Sequence, residues 1–411
     1  MTEVTKETDV AEVPDETEGA GAPEDLWTAE PPAPLPAAEG LFALAEGTAH
    51  LNHGSYGAPP LPVLRLREQL REQEELDPDG FFATLPARIA QARTAIAAEL
   101  VTDRDGLALV TNVTEAVSIA LDSLPLAPGD HVLVTDHGYG AVTRAVARKA
   151  AERGAHLRTA EIPLDAPDEA AVREAVLAAV DGRTTVAVLD QLTSPTARLV
   201  AGPELLAELR RRGVTTVVDG AHAPGMLHAP VGPDADFWFG NLHKWAFAPR
   251  PTGVLAVRPE WRDRVRPLAV SWEDHRGYPA SVEWRGTGDY TPWLAAPAGL
   301  ALLRTLGAAA VSGHNTALAR YGQRMLAERA GLRPLPATPG VWMRAVRLPA
   351  GVAETEEGAR EVMAEVWRRL GARVAVRPWD GGGVLRVSAQ LYNRAGEYER
   401  LADGVAGLLK G

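Results

Sequence analysis

The chain has 411 residues, with 42 basic and 54 acidic side chains and no cysteine, which is length enough for two domains or one large domain with a smaller companion. Without cysteine, disulfides, zinc–thiolate sites and thiol nucleophiles are excluded. Of the formal net charge of −12, residues 1–40 account for eleven acidic groups against one lysine, so the remainder stands near −2; its scattered arginines form no basic stripe of the kind that displaces counterions from a nucleic acid.

Residues 1–40 combine Glu, Asp, Pro, Gly and Ala with few large apolar groups, and read as a disordered acidic tail that cannot offset its ordering entropy. They lack the apolar core of a secretory signal, and the longest uncharged apolar stretch, Tyr290 to Leu303, is too short and proline-broken to span a membrane. A cytoplasmic protein is expected.

From about residue 85 helix and strand patterns alternate. Ala87 to Leu100 reads as a helix, Leu107 to Thr111 as a strand, Glu115 to Leu124 as a helix and His131 to Thr135 as a strand. Helix Ala141 to Arg153, strand Thr185 to Asp190, helix Pro203 to Arg212 and strand Val214 to Asp219 continue the series, followed by strands at Asp236 to Gly240 and Gly253 to Val257. Apolar strands separated by helices predict an α/β domain with a mostly parallel sheet covered on both faces, whose ligands bind beyond the carboxyl ends of the strands. After Thr291 a long Ala/Leu-rich helix is predicted to about Glu328, then strands near Val341 to Leu348 and Val384 to Ser388 around a helix from Glu354 to Leu370. The expected division is a tail over 1–40, a large domain over 41–300 and a small α+β domain over 301–411.

Four loops after strands carry the candidate chemistry. At Asn112, Val113 and Thr114 a strand gives way to a helix whose N-terminus suits a phosphate, although Thr114 also suits a plain N-cap. His137 and Tyr139 follow the strand ending at Thr135; the imidazole fits a flat ring or a surface, and the phenol fits a proton donor. Asp219 ends a buried apolar strand, where a carboxylate is costly unless a cation or several donors meet it. Zinc binding by His222, His228 and His243 competes, but their spacing fits no helical ligand pair.

The fourth loop holds Lys244 between aromatic and apolar residues. A free lysine is neutral in roughly one molecule in 2,500 at pH 7, so a catalytic amine needs burial or conversion into a Schiff base. Of the four lysines, Lys6 and Lys410 are terminal and Lys149 sits in an arginine-studded helix. Lys244 alone has an apolar frame, which a structural lysine would share.

The segments Leu-Asn-His-Gly-Ser-Tyr-Gly (51–57), Thr-Asn-Val-Thr-Glu-Ala (111–116), Asp-Gly-Ala-His (219–222), Asn-Leu-His-Lys-Trp (241–245) and Trp-Arg-Gly-Thr-Gly-Asp (284–289) together resemble class V aminotransferase-like enzymes dependent on pyridoxal 5'-phosphate (PLP). The resemblance runs from about residue 41 to the C-terminus and is nearest to the isopenicillin N epimerase-like branch. It implies the fold-type I architecture of PLP-dependent transferases, a large mostly parallel mixed sheet with a smaller α+β domain, and a homodimer with shared sites. Lys244 would carry PLP as a Schiff base, Asp219 would meet its ring nitrogen, His222 its ring hydroxyl, and His137 its face. Asn112, Val113, Thr114, Asn241 and His243 would hold the phosphate from one subunit, and Thr287 from the other. Arg386 would grip the substrate α-carboxylate, with Asn52, Ser55 and Tyr56 nearby.

Two departures stand out. Asp190-Gln191 lies where an Asp-His pair is expected, and the loop at 379–383 has no counterpart of the cysteine of cysteine desulfurases, which closes the persulfide mechanism. The reaction expected from the branch is epimerisation of an amino acid at Cα in secondary metabolism, with Lys244 as one base and Tyr139, His53 or Tyr56 as the donor on the opposite face. Carbon–sulfur β-elimination, transamination, cyclisation and a non-catalytic PLP-fold protein are the alternatives.

Overall fold

A computed structural model describes residues 26–409. The larger sheet has seven strands: β1 (Leu107–Val110), β2 (His131–Thr135), β3 (His156–Ala160), β4 (Thr184–Asp190), β5 (Thr215–Asp219), β6 (Phe237–Asn241) and β7 (Gly253–Val257), in the spatial order β1-β7-β6-β5-β4-β2-β3. Every pairing is parallel except those of β7, which runs antiparallel to both neighbours. The sheet is therefore mixed but mostly parallel, as expected.

Strands that read as continuous apolar runs divide strictly by period two between two cores. Leu107, Leu109, Leu133, Leu189, Val218 and Trp238 face one layer, packed by helices α3 (Pro78–Glu99), α6 (Glu169–Ala178), α7 (Pro203–Arg211) and α9 (Thr291–Thr305). Ala108, Val110, Val132, Val188, Val217 and Phe239 face the other, under α4 (Val113–Ser123) and α5 (Gly140–Arg153). The helices thus cover both faces and leave the carboxyl edge of β1, β2, β4, β5 and β6 open to form a site.

The remaining helices relevant to that edge are α1 (His53–Tyr56), α2 (Leu61–Leu76), α8 (Leu242–Trp245), α10 (Ala308–Ala330), α11 (Glu356–Leu370) and α12 (Ala395–Leu408). The single long helix predicted to Glu328 is two: α9 and α10 meet at a bend of 80°. Gly307 at the break has φ +83°, outside the helical region and available to glycine without strain. No single helix among the described residues is long and apolar enough to cross a membrane.

The C-terminal part forms a four-stranded antiparallel sheet, β8 (Arg333–Pro334), β9 (Met343–Arg347), β10 (Ala375–Trp379) and β11 (Gly382–Ser388), in the order β10-β11-β9-β8. It packs on α10, α11 and α12 through Leu326, Val346, Val376, Leu385 and Tyr398, and Ala49 and Leu51 belong to this same core. The chain N-terminal to α1 therefore joins the two units. A seam between them is filled by Trp245, Phe247, Leu303, Trp342, Met343 and Leu391. Of the segment expected to be a tail, residues 1–25 lie outside the described residues. Residues 26–40 depart from that expectation: Leu35 and Ala38 pack into the seam, so apolar burial continues upstream of residue 40.

Candidate active site

Two apolar strands end in aspartate side by side. Asp190 closes β4 and Asp219 closes β5, and the parallel register sets them directly opposite. Both are buried. Asp219 accepts a hydrogen bond from the Ala221 N–H at 2.9 Å through Oδ1, while its Oδ2 has no partner among the described residues. Burial raises its pKa to about 6. Burial and then the neighbouring Asp219 hold the Asp190 carboxyl well above the usual carboxylate range, against the Tyr139 N–H that donates to it at 3.2 Å. A buried carboxylate oxygen without a protein partner is costly, and a cationic N–H is a group that would relieve it.

Lys244 is in α8, the single turn that follows β6, and is 8 % exposed. Its Nζ lies 3.2 Å from His222 Nε2. The Trp245 indole N–H donates to His222 Nδ1 at 3.3 Å; an indole can only donate, so the neutral imidazole carries its hydrogen on Nε2 and directs it at the lysine. That contact is available to the neutral form of the amine. Burial lowers the Lys244 pKa to about 8, with Asp219 opposing and Arg386 reinforcing the shift, which brings the neutral amine within reach near neutral pH.

The turn carrying Lys244 is braced from behind. Gly57, at φ +69°, allows α1 to approach so closely that a Cβ there would sit 1.9 Å from the His243 carbonyl oxygen. His53, expected as a proton donor, is fully buried with both ring nitrogens committed: one at 2.7 Å from the Lys244 carbonyl and the other at 2.8 Å from the Tyr392 hydroxyl. The carbonyl accepts, so the tyrosine hydroxyl donates. Burial lowers the His53 pKa to about 3. The catalytic role expected for His53 is therefore corrected to that of a positioning residue.

At the start of α4 the N-cap is Asn112, whose Oδ1 accepts from the Thr114 and Glu115 N–H groups at 2.9 and 3.1 Å. Thr114 is not the cap, and its exposed hydroxyl is the group left facing outward. Asn241, buried at the end of β6, accepts from the Val113 N–H at 3.1 Å and so locks this helix start beside α8. His243 hydrogen-bonds through Nδ1 to the Thr252 carbonyl at 3.0 Å, and burial brings its pKa to about 4. His137 is likewise tied at both nitrogens, to Thr196 Oγ1 at 2.7 Å and the Ile162 carbonyl at 3.0 Å, with its ring 4.5 Å from that of Trp379. Gln191, where a histidine was expected, turns away: its amide spans the Pro230 carbonyl and the Trp238 indole N–H, both at 2.9 Å.

Arg386 approaches from β11 and is 2 % exposed. It donates to the carbonyl and hydroxyl oxygens of Ser194 and, at 2.9 Å, to Asn52 Oδ1; its Nε has no partner among the described residues. Ser55 donates to the same Asn52 oxygen at 2.8 Å. All the groups that Arg386 meets are neutral. Burial lowers its pKa to about 10 without discharging it, so an uncompensated cation waits for an anion.

Two expected residues are not brought in on this chain: Tyr56 is 70 % exposed and Thr287 lies on the surface. Tyr139 is half-buried and lines a cavity between the two domains. Asp190, Ser194 and Tyr392 were not foreseen. Asp190 shares the pattern that flagged Asp219, an apolar strand closed by an aspartate, and parallel pairing of the two strands would have joined them.

The Aminotransferase class-V family model matches residues 82–401. The isopenicillin N epimerase of Streptomyces clavuligerus is 34 % identical over 393 residues, covering 90 % of this chain and 97 % of that protein. A probable chloroplastic L-cysteine desulfhydrase of Arabidopsis thaliana is 27 % identical, over 88 % of this chain and 83 % of its own length. In fold, the chain matches the cystine C–S lyase C-DES with a TM-score of 0.75 at 20 % identity, over 88 % of this chain and 98 % of that one. A C-DES variant with glycine covalently linked to its PLP cofactor matches with the same score.

Proposed function

The chain belongs to the class-V aminotransferase family, and we propose that it is a PLP-dependent enzyme acting at Cα of an amino acid, as an epimerase similar to the isopenicillin N epimerases. The observation that carries this reading is the arrangement of three buried groups: the Lys244 amine with its lowered pKa, a carboxylate oxygen of Asp219 without a partner among the described residues and an uncompensated guanidinium on Arg386. A group with a cationic ring N–H and an aldehyde fits the first two; an α-carboxylate fits the third.

When bound, PLP supplies an electron sink for the pair left at Cα when a bond there breaks. Lys244 would bind it covalently, and Asp219 would hold the proton on its ring nitrogen. His222 and His137 would orient the ring. The Thr114 hydroxyl, with Asn112, Val113, Asn241 and His243 around it, would hold the phosphate. In a homodimer Thr287 and Tyr56, exposed on this chain, would complete the partner's site.

Arg386, steadied by Asn52 and Ser55, would fix the substrate by its α-carboxylate, and the amine of Lys244, once displaced by the substrate's own, would take the α-proton. Epimerisation needs a proton returned on the opposite face. Of Tyr139, His53 and Tyr56, the half-buried phenol of Tyr139 supports that role best. One proton leaves and one arrives, so no further reactant is needed.

The test is incubation of the PLP-loaded protein with L-amino acids in deuterated water. Deuterium at Cα with inversion supports the reading; release of pyruvate or a thiol without inversion overturns it in favour of β-elimination. Tyr139→Phe is expected to keep exchange into the starting enantiomer while losing inversion by about 100-fold.

A further inference from the structure

Between β4 and α7 the chain makes a tight turn, Thr193-Ser194-Pro195-Thr196, closed by an antiparallel bridge between Leu192 and Leu199 and by Ala197 at φ +56°. Ser194 supplies the carbonyl and hydroxyl that meet Arg386. The two threonines on either side are buried and meet His137 instead, one directly and one through the other. His137 has a part in the site proposed above; these two hydroxyls have none.

Every hydrogen in this cluster can be placed. The Ile162 carbonyl, 3.0 Å from His137 Nε2, can only accept, so Nε2 carries a hydrogen and Nδ1 of the neutral ring is a lone pair. The Thr196 hydroxyl at 2.7 Å must then donate to Nδ1, which leaves its oxygen to accept from the Thr193 hydroxyl, also at 2.7 Å. The Thr193 oxygen in turn accepts from the Arg198 N–H at 2.8 Å. A backbone donor thus stands at one end of the row and a backbone acceptor at the other, with four hydrogens filling four links. An imidazolium would bring a fifth. Both hydroxyls would have to reverse, and the Thr193 hydrogen would then have no acceptor among the described residues, at a fully buried position.

The charges nearby pull both ways. Asp136 Oδ1 lies 4.0 Å from Nε2 and favours a cation, the Arg198 guanidinium opposes one, and Trp379, with its ring at 4.5 Å, brings no charge. Asp190 lies across the same turn of chain as Tyr139, and its own neighbours hold it toward the protonated form. Burial lowers the His137 pKa, with the Ile162 carbonyl and Asp136 opposing and Arg198 reinforcing the shift. We propose that Thr193 and Thr196 are positioning residues whose ordered hydroxyls keep His137 an uncharged imidazole with its hydrogen on Nε2. The proposal rests on the reading in which His137 orients PLP: beside a ring whose nitrogen Asp219 would keep protonated, a second cation is repelled, whereas an uncharged imidazole stacks. Because Ser194 lies between the two threonines, one turn sets both this ring and the guanidinium that would take the substrate carboxylate.

The experiment follows the ring nitrogens of His137 by NMR of the PLP-loaded full chain carrying ¹⁵N-labelled histidine, the signals being assigned by their loss in His137→Gln. The unmodified protein is expected to show a hydrogen on Nε2, none on Nδ1, and no titration of this ring between about pH 8 and 5. Thr196→Ser retains a hydroxyl and retains this state. Thr193→Ala leaves the contact to His137 in place but admits a water, which can both donate and accept, and is expected to bring the titration into that range, a rise of about one pH unit or more. Thr196→Ala does the same with the water against the ring itself. A hydrogen on Nδ1 in the unmodified protein would overturn the proposal. So would a ring that titrates in Thr193→Ala and Thr196→Ala as it does in the unmodified chain, since burial alone would then keep it neutral. Cofactor absorbance of the same samples separates the two readings: in Thr196→Ala it follows the His137 titration if the imidazole lies against PLP, and is independent of it if that parent reading is wrong while the hydroxyl order stands.

Discussion

Asp219 and Arg386 are each 2 % exposed and each has a side-chain atom without a partner, yet they stand in different kinds of surroundings. Asp219 lies at the edge of a rigid sheet, where register fixes Asp190 opposite it and Lys244 follows on the next strand but one turn. Its neighbours Asp190 and Lys244 are inside the same domain. Arg386 belongs to the other domain and reaches across the seam to neutral oxygens of Ser194 and Asn52. The first arrangement suits a group that stays, held by a framework that barely moves; the second suits a guest that comes and goes, and couples its arrival to the contact between domains.

The largest effect that would break this contrast is at Lys244. Lys244→Ala is expected to lower turnover by about 10⁴-fold, since it removes both the covalent anchor and the proton acceptor. Borohydride-trappable PLP and full turnover in that variant would end the argument for the large-domain half of the site. Next comes Asp219→Asn, expected to cost about 10²- to 10³-fold in kcat and to weaken retention of PLP on dialysis, because a neutral amide cannot meet a ring N–H with charge. Arg386→Gln should act differently. Its effect is expected mainly in KM, raised by about 100-fold, with PLP retained as in the unmodified protein. If Arg386→Gln loses PLP, or Asp219→Asn alters only KM, the two halves are not divided as described.

The same contrast decides what could be read from the sequence. Six of the seven strands of the large sheet were legible as short apolar runs, and β2 and β7 fall at their expected limits; β3, His-Leu-Arg-Thr-Ala, is polar and largely exposed at the sheet edge and was not foreseen, while Asp219 was visible as the charged exception at a strand end. The seam was not legible. Nothing in the Ala/Leu pattern after Thr291 marks an 80° bend except Gly307. His53 lies in a motif that suggests chemistry, but its two bonds, to the Lys244 carbonyl and to Tyr392, join residues far apart in the chain and can be counted only in three dimensions. The cap at Asn112 was within reach: an asparagine before the first helical residue outranks a threonine two positions later.

The smallest expected effect concerns pH. His53 and His243 have folded pKa values near 3 and 4, and His222 is also well below the ordinary 6.5. Below pH 6.5 the unfolded chain takes up protons that these folded rings refuse, so the stability they contribute is present above that value and is lost as pH falls toward 4. Asp219 has the opposite sign, since a folded pKa near 6 against 3.8 unfolded gives stability as pH falls through 6, and Asp190 opposes in the same direction. Each of the three histidines therefore contributes a loss of up to about 1.4 kcal/mol per pH unit between pH 6.5 and 4, set against the buried acids, among which Glu283 is also raised, to about 7. Urea midpoints of the PLP-free protein across that range measure it. His53→Gln, which can still donate to the Lys244 carbonyl but does not titrate, should flatten the slope. Arg386→Gln should change it less, acting only through His222, whose pKa that guanidinium helps to lower after burial and Lys244. A slope altered by Arg386→Gln and not by His53→Gln would mean that the pH response belongs to the domain seam and not to the sheet edge.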